Sequence, residues 1–486
     1  MDHGARVGAL AALAGERIAM PLYLPAKLHR GSPQPVSSAE LRDKAAPRLR
    51  GGRSERTPNA LGKWPWMLAG LAFFFAALPR SSGAAELRFV TWRSEAPEVW
   101  SGAIADFEKQ NPGVRVISEI GPQSSTQLHD LLTQKLRNRD PRLDVFVMDV
   151  VWPAEFASAG WALPLNRYLT AAERAQFLDA PITANHYRGE IFAVPLFIDA
   201  GVLYYRKDLL DKYRLSAPAT WGELVEQAKT ILAREQRSDL FGFSGQFKQY
   251  EGLVCNMIEY IVGNGGAVWD EKRLVSALDR RPALDAVRFV RDRIVGEIAH
   301  RGVLAYEEPE SLALFTQGQA LFHRNWPYAW SVANDVRQSR VAGRVGMVQL
   351  PGFLPGTGAA TLGGWQLGVS RFSRQPDLAW RFAAFMSGAE IQKRIALATG
   401  RAPTRRSLYA DPEIQKRIPQ LKTLLEVFNR AVPRPPTPVY APLSNIMQRY
   451  FSSVLALPTT DIRERAAFAT RDMNRILDLL RDRNMP

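Results

Sequence analysis

Three short segments set an aromatic side chain beside turn-forming or polar residues: Asn325-Trp326-Pro327-Tyr328, Gly363-Gly364-Trp365 and Lys248-Gln249-Tyr250-Glu251. A flat ring next to amide, carboxylate or open backbone groups suits a ligand with an apolar face and a polar rim, as a sugar has. The ring covers the C–H face, and the polar groups pair the hydroxyls. Charged partners give the stronger hydrogen bonds. Trp100, Trp161, Trp221 and Trp380 read as core or helix-face residues. Trp326 and Trp365 do not, because one precedes a proline and the other follows two glycines. A doubled glycine lets backbone N–H groups approach a ligand, although a plain turn before a strand is the competing reading.

Catalytic and metal-binding patterns are sparse. The chain has six His, and His3, His29 and His129 fall in the N-terminal leader or on an amphipathic helix. H-E-x-x-H, C-x-x-C and acidic calcium-loop patterns are all missing. So are a G-x-S-x-G elbow and a phosphate-binding P-loop; Ser244 reads as a turn residue. Paired carboxylates for glycoside hydrolysis stay open, since their separation is a property of the fold. The residues favour binding over catalysis, with no metal and no cofactor implied.

The elements that would position these residues alternate. Leu87–Trp92, Val114–Ile120 and Asp144–Asp149 read as strands, and Trp100–Gln110 and Thr126–Arg137 as amphipathic helices between them. That β-α-β-α-β order implies an open α/β sheet covered by helices. Ligands of such sheets lie at the carboxyl ends of strands, where Asp149 falls. A second set follows Pro195: a strand at Val202–Arg206, helices at Trp221–Gln236, Tyr250–Val262, 282–299 and 309–318, and a strand at Val345–Leu350. The Gly/Pro-rich stretch Pro351–Gly358 reads as a crossing between two lobes. A strand at Gly364–Ser370, a helix at 376–387 and a mostly helical end, broken by Pro433-Arg434-Pro435-Pro436, complete the chain.

With 486 residues, 46% of them hydrophobic and 23% charged, the chain has material for two or three domains. The net charge is +15, but residues 1–85 hold 12 Lys/Arg against 5 Asp/Glu, and the remainder 51 against 43. From residue 86 on, basic residues alternate with acids on helical stretches, which reads as a solvated surface rather than a nucleic-acid-binding one. Arg53, Arg56 and Lys63 precede the apolar run Trp64–Leu78, and small residues from Ser81 to Ala85 follow. This order is that of a signal peptide at about 61–85, with cleavage near Ala84 or Ala85. The 15-residue run is short for a membrane span, the alternative reading. Residues 1–55 form an unusually long leader, which suggests a start codon assigned upstream. Cys255 is the only cysteine, so no internal disulfide can form. No cysteine follows the apolar run to take a lipid, and export would deliver the chain free to a periplasm.

The stretches VFVMDVVW (145–152), FIDAGVLYYRKDLL (197–210), KQYEGLVC (248–255), RNWPYAW (324–330), ATLGGWQLGVS (360–370) and AVPRP (431–435) resemble, in order, those of extracellular solute-binding proteins of ATP-binding-cassette importers. The trehalose/maltose-binding proteins are the nearest match. The resemblance runs from about Glu86 to the C-terminus. It implies an α/β, two-lobed periplasmic-binding-protein fold of class II with the ligand between the lobes. The lobes would be 86–198 plus 352–405 and 199–351 plus 406–486. It also implies a monomer that captures a disaccharide (trehalose, maltose, sucrose or a related glucoside) and hands it to an inner-membrane permease. Carried over by residue, Asp149 and Asp199 resemble hydroxyl-binding carboxylates, Trp326 and Trp365 sugar platforms, and Gly363 and Gly364 backbone contacts. Arg434 resembles the ligand-binding arginine, and Tyr250 and Glu251 line the opposite lobe. An acid is expected after the first strand, where Glu95 and Glu98 both fit. Two positions depart from the pattern: Phe197 stands where tyrosine is usual, and Gln127-Leu128 where an arginine is expected. A lost phenol removes one hydrogen bond, worth about 0.5–1.5 kcal/mol. The rival readings are the same fold with another small solute (a polyamine, iron or a phosphate ester) and a secreted carbohydrate-active enzyme.

Overall fold

The computed structural model describes residues 84–93 and 96–483. Residues 1–83 of the proposed leader and signal peptide, and Glu95, lie outside the described residues, while Ala85 already belongs to the first strand.

Among the described residues the chain builds two large sheets, of six and four strands, and two small two-stranded ones. The first begins β1 (Ala85–Trp92), α1 (Pro97–Gln110), β2 (Val114–Gly121), α2 (Ser125–Arg137) and β3 (Val145–Asp149), the alternation expected from the sequence. β4 (Val194–Ala200) then joins it, and after Gly201 β5 (Val202–Arg206) opens the second sheet. Next come α3 (Trp221–Glu235), β6 (Phe241–Ser244), α4 (Glu251–Gly263), α5 (Glu308–Thr316), β7 (Ala320–Asn325) and β8 (Val345–Gln349). The chain returns to the first sheet with β9 (Leu362–Val369), α6 (Pro376–Met386), α7 (Ala389–Thr399) and β10 (Ala402–Pro403). It ends in α8 (Tyr440–Ala456) and α9 (Ile462–Arg483).

The first sheet has strand order β10-β4-β9-β3-β1-β2 and the second β8-β5-β7-β6. β1 runs parallel to β2 and β3, whereas β9 lies antiparallel between β3 and β4. Every residue of β3 is buried, as a strand covered on both faces requires. α2 turns Leu128, Leu132 and Leu136, four residues apart, into the core. α3 buries Leu224, Val225, Ala228 and Ile231, and the Thr220 hydroxyl caps it by accepting from the Glu223 N–H at 3.1 Å. Fully burying each such Leu, Val or Ile side chain stabilises by roughly 1.5–3 kcal/mol.

Strand membership adjusts the expected lobe limits. Asp199 and Ala200 belong to β4, so the first crossing is at Gly201 and not at 198/199. The second crossing lies between β8 and β9, where the Pro351–Gly358 stretch was read as one. Residues after 405 remain on the first sheet's side: the Arg406 N–H donates to the Gln176 carbonyl at 2.9 Å, and the Arg417 guanidinium donates to the Leu397 carbonyl at 2.8 Å. The third crossing comes near Val432, which pairs with Thr361. Hydrogen bonds of 2.8 Å from Leu362 N–H to the Val432 carbonyl, and from Val432 N–H to the Ala360 carbonyl, tie the second and third crossings together. Ser244 is no turn residue: it ends β6, fully buried, with its hydroxyl donating to the Ser311 carbonyl at 2.7 Å.

Candidate functional site

The carboxyl ends of β1 and β3 face a cleft between the two sheets. Its atom-free space is about 660 Å³ counted out into the mouth. Small-molecule sites span roughly 300–1,000 Å³. Asp149, Asp199, Trp365, Gly363 and Gly364 line it from the first sheet, and Tyr250, Glu251 and Trp326 from the second lobe, with Arg434 from the segment after the third crossing.

Sheet register explains the first group. Trp365 on β9 stands opposite Asp149 on β3 and Phe197 on β4, and Gly363 stands opposite Asp199. The register shifts between Trp365 and Gln366, and Gly364 has φ +129°. A side chain at 364 would meet the Phe197 carbonyl oxygen at 2.6 Å, so only glycine fits. Trp365 stacks on Trp92 with centroids 4.9 Å apart and meets Trp152 edge-on at 5.6 Å, leaving it half-buried at the cleft wall.

Trp326 follows β7 and faces the cleft from the other side. Its indole N–H donates to Glu308 Oε1 at 3.0 Å, and the Arg324 guanidinium lies 4.1 Å from the ring centroid. Arg324 is itself buried and paired with Glu259. The tip of the Trp326 ring comes within 3.0 Å of where a side chain on Gly363 would begin. Gly363 thus permits close approach of an indole from one lobe to the backbone of the other.

Arg434 is the central charge. Its guanidinium donates to Asp149 Oδ1 at 2.6 Å and to Glu251 Oε1 at 2.9 Å, with all three side chains buried. The arginine therefore joins a first-sheet carboxylate to the first residue of α4. Glu251 also accepts from the Tyr440 hydroxyl at 2.5 Å and from the Ser444 hydroxyl, while its N–H donates to Thr126 Oγ1 at 3.3 Å. Burial pushes the Tyr250 and Tyr440 phenols well above the usual range, so both are neutral hydroxyls. Burial likewise raises the Glu308 carboxyl, against the indole N–H bond that lowers it.

Two expected residues are not brought to the cleft. Glu98 is exposed in the first turn of α1. Phe197 is buried behind the wall, edge-on to Trp92 at 5.6 Å. The Arg401 guanidinium lies 4.5 Å from the Phe197 ring centroid and 3.4 Å from Asp199 Oδ2. At the second departure, Gln127 is exposed and Leu128 is core, and Gln123 and Ser125 line the cleft in that region. Trp92, Tyr328, Arg401, Glu308 and Cys255 line it without having been singled out. Trp92 ends a strand at the carboxyl edge of a parallel sheet, a signal that could have found it. Tyr328 lay inside a segment already noted. Nothing local marks Arg401 or Glu308.

A two-lobed α/β molecule with opposed indoles and carboxylates across its cleft is a binding protein for a small polar solute. The family comparison agrees: residues 92–393 match the model of the bacterial extracellular solute-binding proteins, and the chain belongs to that family. A probable ABC transporter-binding protein from Deinococcus radiodurans is 34% identical over 366 residues, covering 74% of this chain and 86% of that one. A mannitol-binding protein from Pseudomonas aeruginosa is 26% identical over 340 residues, 68% of this chain and 76% of that one. The structure of maltose-bound T. maritima MalE3 superposes with a TM-score of 0.76 at 36% identity, covering 82% of this chain and all of that chain. The protein is thus a solute-binding protein of an ABC importer, in a family of binding proteins that deliver small molecules to a permease. Among the described residues no helix is long and apolar enough to cross a membrane.

Proposed function

We propose that the protein captures a neutral disaccharide, an α-linked glucoside such as maltose or trehalose, in the periplasm as a monomer and passes it to an inner-membrane permease. The observation that carries this reading is the pair of half-buried indoles, Trp365 and Trp326, lining one cleft from different lobes beside Asp149, Glu251 and Arg434. An aromatic face for each ring and charged partners for the hydroxyls are what a two-ring sugar requires. The maltose-bound relative supports it. A ligand that touches both lobes stabilises the closed form by its differential affinity for it. The mannitol-binding relative favours a second reading, a single linear polyol in the same cleft.

Titration calorimetry against maltose, trehalose, sucrose and mannitol separates the two readings. Trp326→Ala and Trp365→Ala are each expected to lower disaccharide affinity at least tenfold with the fold intact. Unchanged affinity in both variants would remove the indoles from the site. Tighter binding of mannitol than of every disaccharide would select the polyol reading.

A further inference from the structure

Glu308 lines the cleft, yet it opens a helix, α5, whose start is served by its neighbours. Glu310 accepts from the Glu307 N–H at 3.0 Å, and Glu307 pairs with Lys248 at 2.7 Å. The second pair ties the segment 248–251 to the same helix start. Glu308 instead accepts from the Trp326 indole N–H at 3.0 Å. The Tyr250 hydroxyl, on the same wall of the cleft, lies close to this carboxylate. That hydroxyl is buried and forms no well-aligned hydrogen bond with any described residue. Gly252 makes room for it, since a side chain there would collide with the phenol oxygen. A buried O–H left without a partner costs free energy, so a group that completes the pair is favoured.

The geometry of the indole says what that group is. Arg324 covers one face of the Trp326 ring, 4.1 Å from its centroid. A pyranose stacked on the other face holds its equatorial hydroxyls around the rim of the ring. The indole N–H points out through that rim, so the carboxylate it donates to stands within reach of one of those hydroxyls. A carboxylate offers about four acceptor positions, and the indole takes one of them. A sugar hydroxyl both donates and accepts, so it can give its proton to Glu308 and receive that of Tyr250. We infer that Glu308 is a specificity-determining residue: it fixes the plane of Trp326 and, with the Tyr250 hydroxyl, holds one hydroxyl of the sugar stacked there. A sugar lacking that hydroxyl leaves a buried donor and a carboxylate unpaired, and is rejected. This rests on the sugar reading of the cleft.

The test is calorimetry with maltose and trehalose, and with the monodeoxy derivatives of whichever binds tighter, on the wild type, Glu308→Gln and Tyr250→Phe. Glutamine keeps an oxygen for the indole N–H but loses the charge, and its amide nitrogen cannot accept. Phenylalanine removes only the unpaired hydroxyl, so the urea midpoint of the unliganded protein should not fall. Each variant is expected to weaken the parent sugar roughly tenfold. One monodeoxy sugar should bind the wild type about tenfold more weakly than its parent. That sugar should lose less than about threefold further in either variant, because the group they would hold is already gone. Equal losses for the parent and every monodeoxy sugar would make the two residues merely structural, and wild-type affinity in both variants would remove them from the site. Either result overturns the inference and leaves the sugar reading standing. Should Glu308→Gln disturb folding, as circular dichroism would reveal, the Tyr250→Phe comparison decides alone. Failure of both sugars to bind overturns both readings.

Discussion

Adjacent glycines at the cleft wall should fail in opposite ways when each is given one methyl group. At Gly364 the backbone has φ +129°, and the new carbon would sit 2.6 Å from the Phe197 carbonyl oxygen, a backbone atom held in the sheet. A non-glycine residue in such a conformation costs about 1–3 kcal/mol before any clash is counted. Gly364→Ala should therefore lower the urea midpoint of the unliganded protein by an amount matching at least 1 kcal/mol. At Gly363 the new carbon meets the Trp326 ring tip at 3.0 Å and Asp199 Cβ at 3.3 Å. Those contacts are tight, and the indole cannot swing aside freely because Glu308 holds its N–H and Arg324 covers one face. Overpacking against the indole costs about 1–3 kcal/mol, but only while the lobes are together, whereas the looser Asp199 contact lies within the first sheet and persists at smaller cost. Gly363→Ala should thus leave unliganded stability within about 0.5 kcal/mol of wild type. It should weaken sugar binding roughly tenfold, since about 1.4 kcal/mol is a factor of ten. Urea unfolding without ligand and calorimetry with ligand read the two effects separately. If Gly363→Ala unfolds as early as Gly364→Ala and binds as well as wild type, the assignment of Trp326 to a closing contact is wrong.

Arg434→Gln leaves Asp149 and Glu251 buried without their shared cation, and losing one partner of a buried ion pair costs about 3–5 kcal/mol. A loss of less than 1 kcal/mol in chemical denaturation would show that the ion pair is open to water. The Phe197→Tyr exchange restores the usual phenol behind the cleft, against the Arg401 guanidinium. It should change disaccharide affinity by less than fivefold, because the ring does not reach the ligand space; calorimetry decides, and a larger gain would place residue 197 in contact with the sugar. Burial lowers the His129 pKa, but Glu155 and Asp130 together more than offset this by hydrogen bond and charge, so the folded value lies above the ordinary 6.5. Its stabilisation is full below the unfolded pKa and is lost as pH rises through the folded one. His129→Asn should therefore flatten the fall in melting temperature from pH 6 upward, and an unchanged slope would refute the pairing.

Elements were legible where pattern and punctuation agreed. β3 reads as a buried strand because Val145–Met148 is continuously apolar, and α4 stops where Gly263-Asn264-Gly265-Gly266 cannot continue a helix. Trp326 and Trp365 stood out because proline and glycine neighbours denied them a place in a periodic stripe. The crossings were less legible: β4 and β5 are separated by Gly201 alone, so no loop composition marks the passage between sheets. Arg401 was invisible for a different reason. It follows a helix cap at Gly400, an ordinary surface position by local pattern, and becomes a cleft residue only through contact with Phe197, Asp199 and Tyr328. Glu98 shows the reverse error, an acid at the expected spacing that helix α1 turns toward solvent.

The crossings and the cleft are mechanically one object. Glu259, buried on α4, accepts from Arg324 at 2.8 Å and from the Thr361 N–H of the second crossing at 3.2 Å, while Thr361 Oγ1 donates to the Cys255 carbonyl at 2.9 Å. Arg324 in turn backs the Trp326 ring. The pivot between the lobes is thus one buried ion pair away from the indole that contacts the ligand space. A bend at residues 361 and 432 that shifted Glu259 would move Arg324, and with it the platform. Interfaces of this kind repack between discrete arrangements and do not deform continuously. Binding free energy spent on Trp326 therefore acts directly on the hinge. Glu259→Gln, which removes the charge and retains an oxygen acceptor, should weaken ligand-induced closure more than the packing of either sheet. Small-angle scattering with and without ligand would measure that: equal ligand-induced compaction in the variant and the wild type would uncouple the pivot from the site.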